Sequence, residues 1–389
     1  MELNEILKIA LKGGASDIHL KPGLPAMFRV DGALVPLKSG ERLTPDMVQQ
    51  MAHGIMNPVQ RQRFDETREV DLAYGIPGLG RFRVNVFQQR GTVGIVFRAI
   101  PFGVKTIEQL VLPKIIETIA MEHRGLVLVT GTTGSGKSTS LAAMIDYINT
   151  TRTEHIMTIE DPIEFLHRDK KAIVNQREIS SDTRDFAKAL RSALRQDPDV
   201  ILVGEMRDYE TIETALLAAE TGHLVFSTLH TLDATETINR IIAVFPPHHQ
   251  KQIRIQLGQV LRAVISLRLM PRADGMGRVP AVEVMRVTPY IRECIENKDK
   301  TKYIREQISL GTSQYGMQTF DQSLFSLYKA GLITLEEALK RATNPDEFKL
   351  KIQGVQFTAD VSREEMEGTL RTGNEAEMMS QESPFQIER

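Results

Sequence analysis

A buried strand, a glycine-rich loop and an amphipathic helix follow one another in this 389-residue chain. Residues 126–129 are apolar at every position, which is typical of a strand in a sheet that is covered on both faces. The loop Gly131–Ser138 fits the pattern G-x-x-x-x-G-K-[ST]. Apolar residues at helical spacing then indicate the helix: Leu141, Ile145 and Ile148. This order restricts the segment to an α/β fold with a phosphate-binding loop.

The loop supplies the groups that hold a nucleoside triphosphate. Its glycines let backbone N–H groups turn towards phosphate oxygens, and the helix that follows adds the positive end of its dipole. Lys137 would neutralise the β and γ phosphates, and the Ser138 hydroxyl would bind Mg²⁺. An ordinary glycine-rich loop is the alternative. We predict ATP and Mg²⁺ as cofactors, with these binding residues: Gly131, Thr132, Thr133, Gly134, Ser135, Gly136, Lys137, Ser138 and Thr139.

Phosphoryl transfer also needs an acidic group near the metal and a group that orients water. Two more apolar strands, 156–159 and 200–203, are each followed by carboxylates. Ligands of parallel sheets bind at the carboxyl ends of the strands, so we expect Glu205, Glu160 and Glu164 near the phosphates. A strand-end carboxylate is also common in a solvated turn or at a helix N-cap, and that structural role is the alternative for each.

Two histidines flank a fourth apolar strand, residues 224–229. His230 follows the strand, where its side chain could sense the γ-phosphate. His223 precedes the strand, and simple topology puts it at the end that is far from the phosphate. For either histidine taken alone, a structural hydrogen bond is the alternative.

The remaining pattern predicts two folded parts and a tail. Residues 1–100 combine a helix over 3–12 with short strands, which predicts a small α+β domain with an antiparallel sheet. A linker over 101–112 leads into an α/β domain over 113–355, whose sheet is mainly parallel and whose pattern is mostly helical after about residue 250. Residues 356–389 hold eight acidic and three basic residues, which predicts a disordered tail.

Composition excludes several classes of protein. A net charge of −2 gives no overall basic field for nucleic acid. Cys294 is the only cysteine, which excludes an internal disulfide and a cysteine-rich zinc site and fits a reducing compartment. The chain contains no apolar run of about 18 residues. We therefore expect a soluble protein, for which any role at a membrane comes through a partner.

Taken together, the motifs resemble one family, the secretion ATPases of type II secretion and type IV pili. Five segments match it in the family's order: Ala15–Leu20, Gly131–Ser138, Ile159–Glu164, Leu202–Asp208 and Ala219–His230. The resemblance covers the chain from residue 1 to about residue 355. It implies a PAS-like N-terminal domain joined to a RecA-like motor domain, and a homohexameric ring with ATP held between the two domains.

The resemblance also implies roles for particular residues. Glu164 becomes the carboxylate that activates water, and Glu205 becomes the one that acts on Mg²⁺ through water. A catalytic role for His223 and His230 is implied in the same way. Arginines of the N-terminal domain reach the nucleotide in this family. Here they correspond to Arg81 and Arg83, which strand alternation puts on one face. A solvated strand face is the alternative.

Within the family, the chain is most similar to the motors that retract pili. Assembly and secretion motors usually carry four zinc-binding cysteines, which this chain lacks. Retraction motors carry a C-terminal motif that ends in Ile-Arg-Glu, and Tyr303–Glu306 keeps that end although Asp299–Lys302 departs from the motif. The expected partners are a pilus platform protein in the inner membrane and an accessory retraction ATPase. The alternatives are that accessory ATPase itself, an assembly or secretion motor, a nucleic-acid motor, and a scaffold that binds ATP without hydrolysis.

Overall fold

The computed structural model describes residues 2–354 apart from 31, 39, 101 and 102. Its contacts divide the chain into two compact units. The first unit is Met1–Val104 with two later segments, Glu160–Arg168 and Gln176–Asp185. The second unit is made of Lys105–Ile159, Asp169–Asn175 and the part of the chain that follows from Phe186. The boundaries predicted from sequence assign both later segments to the motor domain. The predicted acidic tail over 356–389 lies outside the described residues.

The first unit is built on an antiparallel sheet. Its strands are β1 (Asp17–Leu20), β2 (Met27–Val30), β3 (Ala33–Pro36), β4 (Glu69–Ile76), β5 (Gly80–Gln89) and β6 (Thr92–Ile100). They lie in the order β3-β2-β1-β6-β5-β4, and every neighbouring pair is antiparallel. The accompanying helices are α1 (Leu3–Lys12), α2 (Pro45–Ile55) and α3 (Pro58–Thr67). Apolar side chains of α1, α2 and the longer strands share one core, which confirms the predicted α+β character of this part.

The second unit contains a larger, mainly parallel sheet. Its strands are β7 (Gly125–Thr130), β8 (His155–Glu160), β9 (Ile173–Glu178), β10 (Val200–Val203), β11 (Leu224–Leu229), β12 (Leu261–Pro271) and β13 (Arg278–Arg286). Their order is β13-β12-β7-β11-β10-β8-β9. Four neighbouring pairs are parallel, namely β12–β7, β7–β11, β11–β10 and β10–β8, and β13 is antiparallel to β12. Strands β7, β10 and β11 are buried along their whole length, as their apolar runs predict.

Helices follow or connect these strands. They are α4 (Ile115–Ala120), α5 (Lys137–Thr151), α6 (Phe186–Ala193), α7 (Tyr209–Glu220), α8 (Ala234–Ala243), α9 (Gln250–Val260), α10 (Pro289–Glu296), α11 (Ile304–Leu310), α12 (Thr312–Tyr315), α13 (Phe320–Lys329), α14 (Leu335–Arg341) and α15 (Pro345–Ile352), with a 3-10 helix over Lys298–Tyr303. Two of them begin beside the carboxyl edge of the sheet. Asp208 caps α7 and Asp233 caps α8, each with a side chain that accepts a hydrogen bond from the backbone.

The chain after residue 250 is mostly helical, as predicted, but it also contains a strand hairpin that was not predicted. Strands β12 and β13 form this hairpin between α9 and α10. The cause is burial. Strand β12 lies between β7 and β13 and is apolar at most positions, so it lacks the alternation that marks a strand with one wet face.

The parallel strands bring three loops to one edge of the second sheet. The carboxyl ends of β7, β11 and β10 lie side by side, because Thr130 pairs with Leu229 and Ser227 pairs with Val203. The glycine-rich loop, His230 and Glu205 follow these strands directly. Within the described residues, none of the helices combines the length and apolar character that crossing a membrane requires.

Candidate nucleotide-binding site

The glycine-rich loop has a backbone that requires its glycines. Gly131, Gly134 and Gly136 have φ angles of 140°, 77° and 98°, which side chains rarely allow. A Cβ atom on Gly131 would also stand 2.5 Å from the carbonyl oxygen of Leu267 and 2.5 Å from Ser135 Oγ. The loop is therefore held against β12 at its first glycine, in a conformation that turns backbone N–H groups to one side.

Helix α5 begins at the end of this loop. Its N-cap is Gly136, and no side chain caps it, so the first N–H groups of the helix remain for an anion. Lys137 Nζ donates hydrogen bonds to the carbonyl oxygens of Gly131, at 2.8 Å, and Thr132, at 3.1 Å. The ammonium group therefore lies over the loop, where it would meet phosphate oxygens.

The hydroxyl groups of the loop fit a nucleotide and its metal ion. Ser135 is buried, and in the described structure its Oγ has no hydrogen-bond partner, so a phosphate oxygen would satisfy a polar atom that is otherwise costly to bury. Ser138 and Thr139 are half-buried in the first turn of α5. Among the described residues, no group of three or more His, Cys, Asp or Glu could hold a metal on its own. Phosphate oxygens and the Ser138 hydroxyl are the hard oxygen ligands that would suit Mg²⁺ at this place.

Glu205 lies two residues beyond β10 at the same edge of the sheet. Its Oε1 forms an ion pair with Arg207 Nε at 2.7 Å, and its Oε2 lies 3.6 Å from His230 Nε2. The turn before it is fixed, since Thr228 Oγ1 donates to the carbonyl oxygen of Gly204 at 2.7 Å. The structure thus brings Glu205 and His230 together. It also places Arg207, which was not among the predicted site residues, beside Glu205.

The two histidines of the His-containing segment lie at opposite ends of β11. His230 follows the strand and is exposed beside Glu205. His223 precedes the strand, and its Nδ1 lies 2.9 Å from the carbonyl oxygen of Ala218 and 3.3 Å from Thr221 Oγ1. Within the second unit, His223 is therefore separated from the glycine-rich loop by the length of the strand, about 20 Å. A catalytic role for His223 stays a prediction.

The carboxylates after β8 belong to the first unit by their contacts. Glu160 is the last residue of β8, and its Oε1 accepts a hydrogen bond from Gln176 Nε2 at 3.1 Å. Glu164 is exposed to solvent. The glycine-rich loop belongs to the second unit. The roles of Glu160 and Glu164 in hydrolysis therefore remain predictions.

Arg81 and Arg83 share one face of β5, as the alternation predicts, but their surroundings differ. Arg81 Nη2 pairs with Glu178 Oε2 at 3.3 Å, whereas Arg83 is exposed. Glu178 is only 5% exposed, and its Oε2 also accepts from the backbone N–H of Ile163 at 3.2 Å. The sequence analysis missed Glu178, although it too is a carboxylate at the end of a strand. It ties Arg81 to the segment that carries Glu164.

Arg83 belongs to a row of charged residues across the first sheet. Arg83 lies opposite Arg98, Arg98 lies opposite Asp17, and Asp17 lies opposite Arg29, so all four share one face. Arg98 Nε donates to Asp17 Oδ1 at 2.8 Å. Burial alone would raise the pKa of Asp17, but the hydrogen bonds from Arg98 and Ser16 outweigh it and hold the pKa below its usual value. This row therefore holds three arginines and one carboxylate.

Comparison with known proteins identifies the family. The family described as "Type II/IV secretion system protein" matches residues 1–340. The chain belongs to this family. It is 50% identical over 348 residues to the type IV pilus retraction ATPase PilT of Pseudomonas aeruginosa, an alignment that covers 90% of this chain and 100% of that protein. It is 42% identical to the type IV pilus ATPase PilU of the same organism, over 92% of this chain and 94% of PilU.

A solved structure agrees with this assignment. The crystal structure of the pilus retraction motor PilT with bound ADP superposes with a TM-score of 0.80 at 49% sequence identity, and the match covers 89% of this chain and 98% of that one. The α/β fold of the secretion ATPases is therefore the fold of this chain, which is an ATP-hydrolysing enzyme of that family.

Proposed function

We propose that this chain is an Mg-ATP-hydrolysing motor that powers retraction of type IV pili, and with it twitching motility. The observation that carries the proposal is the 50% identity to the retraction ATPase PilT over the whole length of that protein. The loop geometry supports it, because the positive φ angles at three glycines and the uncapped start of α5 suit a triphosphate. The lower identity to PilU favours the main retraction motor over the accessory type.

In this proposal the residues of the glycine-rich loop bind the nucleotide, and the residues at the strand ends act on water. ATP supplies a transferable phosphoryl group, and Mg²⁺ neutralises the charge that develops on it. Lys137 and the first N–H groups of α5 would hold the phosphates, and the Ser138 hydroxyl would be the side-chain ligand of Mg²⁺. The carboxylate of Glu205 would hold water beside the metal ion. Its contacts with Arg207 and His230 orient that carboxylate.

The remaining site residues have roles that follow from the family resemblance. Glu164 accepts the proton of the attacking water as general base, and Glu160 supports it from the end of β8. Arg81 and Arg83 contact the phosphates. His230 senses the γ-phosphate through Glu205. We also propose a part in catalysis for His223. This role rests on the family resemblance alone, because His223 is too far from the glycine-rich loop of its own chain to contact a nucleotide bound there.

The motor works as part of a membrane machine. We propose a homohexamer that sits at the cytoplasmic face of the inner membrane, where it moves a pilus platform protein. A PilU-type paralogue is a second proposed partner. The chain itself would contact the membrane through these partners only.

A complementation experiment tests the proposal. Wild-type protein, Lys137→Ala and the matched control Lys251→Ala, which alters an exposed lysine of α9, would be produced in piliated cells that lack their own retraction ATPase. We expect wild type and the control to restore retraction, measured as the pull on a pilus-bound bead, and Lys137→Ala to fail. If wild type restores retraction only in cells that also contain another retraction ATPase, the result would favour the PilU type.

Two other outcomes would reject the proposal. Wild type that restores pilus extension in cells without their assembly ATPase, and not retraction, would make the chain an assembly motor. ATP hydrolysis that rises strongly with added DNA and loses that rise with salt would favour a nucleic-acid motor.

A further inference from the structure

A buried carboxylate on β13 lies close to the candidate site but belongs to none of its motifs. Glu283 is only 5% exposed, and its Oε1 accepts a hydrogen bond from the backbone N–H of Ala234 at 2.9 Å. Burial raises the pKa of Glu283 to about 7 against the lowering effect of that hydrogen bond. The charged groups around it are Asp233 on the α8 N-cap, which raises the pKa further, and Arg268 and Arg305, which lower it.

Glu283 holds the segment that follows His230. Ala234 is the first residue of α8, and only three residues separate it from His230. The same segment is held by two more contacts. Leu232 N donates to Glu236 Oε2 at 2.8 Å, and the hydroxyl groups of Thr231 and Thr237 lie 2.6 Å apart. The backbone between His230 and Ala234 is therefore held in place by several hydrogen bonds. Its end at Ala234 is bound by the side chain of Glu283 from β13.

The position of Glu283 is itself fixed relative to the glycine-rich loop. Glu283 pairs with Ser266 across β13 and β12, and Ser266 pairs with Thr130 across β12 and β7. Residues that lie directly opposite on neighbouring strands share one face, so all three side chains point to the same side of the sheet. Thr130 Oγ1 donates to Ser266 Oγ at 2.9 Å, and the next residue is Gly131.

We propose that Glu283 is a positioning residue that sets His230 against Glu205 by anchoring the first turn of α8. This proposal rests on the ATPase function proposed above. A carboxylate is well suited to the task, because it is a strong acceptor for an N–H group at the positive end of a helix. Its burial costs free energy that an apolar residue of similar size would not cost. The anchoring of the segment that follows His230 explains why a carboxyl group, and not an apolar side chain, occupies this buried position.

Steady-state ATP hydrolysis by three variants and a double variant tests the proposal. Glu283→Leu should lower kcat about tenfold and leave KM for ATP within about threefold, because loss of a buried hydrogen bond displaces His230 and not the phosphate-binding loop. Glu283→Gln keeps an oxygen that accepts from Ala234 N and should restore kcat to within about threefold of wild type. The double variant Glu283→Leu with His230→Ala should be no slower than His230→Ala alone.

Ser323→Ala is the matched control. Ser323 Oγ is buried and accepts a hydrogen bond from the backbone N–H of Val282 at 3.0 Å, one residue from Glu283. Its loss removes a comparable side chain–backbone hydrogen bond that does not lead to His230. The effects of Ser323→Ala and His230→Ala on kcat should therefore add. Additive effects of Glu283→Leu and His230→Ala, or a tenfold loss that Glu283→Gln does not restore, would overturn the proposal.

A second measurement does not depend on activity. The ring resonances of His230, assigned in NMR spectra with His230→Ala, should shift in Glu283→Leu and stay in place in Ser323→Ala. Unchanged resonances in Glu283→Leu would overturn the proposal even if the enzyme were inactive. A wild type without turnover, together with shifted resonances, would instead reject the ATPase function and keep the positioning role.

Discussion

Replacement of Glu283 by glutamine should make the stability of the protein depend less on pH. The folded state raises the pKa of this carboxyl to about 7 from its usual 4.5, mainly because it is buried. Between these two values the folded protein binds a proton that the unfolded chain releases. The contribution of the group to the free energy of unfolding is therefore fully present below pH 4.5 and is lost as the pH rises through 7. Glutamine does not titrate, so the free energy of unfolding of the variant does not contain this pH-dependent contribution.

The size of the effect follows from the pKa difference. The gap between 4.5 and about 7 corresponds to about 3 kcal/mol, of which about 2 kcal/mol develops between pH 5.5 and pH 8. The glutamine amide group adds a cost of its own, but that cost is the same at every pH. The informative quantity is therefore the change with pH in the difference between variant and wild type.

Urea unfolding of the full chain at pH 5.5 and at pH 8 measures this quantity. From pH 5.5 to pH 8, we expect the free energy of unfolding of Glu283→Gln to rise by about 2 kcal/mol relative to that of wild type. The control is Glu336→Gln, which neutralises an exposed carboxylate of α14 and should follow wild type at both. A difference between Glu283→Gln and wild type that does not change with pH would mean that the Glu283 carboxyl titrates alike in the folded and unfolded states, contrary to its raised pKa.

Three further substitutions test other parts of the account. Glu205→Ala should keep the affinity for ATP, measured by calorimetric titration, and lower the rate of phosphate release about a hundredfold; comparable turnover would sink the role of Glu205. Gly131→Ala should abolish ATP binding, because its Cβ would stand 2.5 Å from the carbonyl oxygen of Leu267, whereas Gly54→Ala, which has open space around it, should bind ATP like wild type. Arg81→Ala should destabilise the first unit by about 2 kcal/mol in urea unfolding, since it leaves Glu178 buried without its cation. The exposed Arg83→Ala should have little effect on stability, and equal effects of the two would show that the Arg81–Glu178 pair contributes nothing.

The centre of the second sheet could be predicted from the sequence because its signals are local. Strands β7, β10 and β11 are short apolar runs, and each is followed at once by a residue type that belongs at a phosphate site. The parallel arrangement then places the ends of these strands at one edge. The proximity of Glu205 and His230 follows from that topology, although they are 25 positions apart in the sequence.

Long-range pairs could not be predicted in the same way. The contacts Arg81–Glu178 and Arg98–Asp17 join residues that are 97 and 81 positions apart, and no periodicity in the sequence points from one partner to the other. Glu283 was missed for a related reason. It lies in the hairpin of β12 and β13, which was expected to be helical, and a carboxylate in an expected helix gives no sign of burial.

Release of phosphate by the purified protein measures ATP hydrolysis at the glycine-rich loop. Purified wild type and Lys137→Ala would be compared with and without Mg²⁺, with the mass of each determined by light scattering. We expect Mg²⁺-dependent turnover by a hexamer-sized wild type and loss of that turnover in the variant, whose mass is unchanged. A hexamer-sized wild type without turnover, or a Lys137→Ala variant that hydrolyses ATP as fast as wild type, would show that the loop is not the site of hydrolysis.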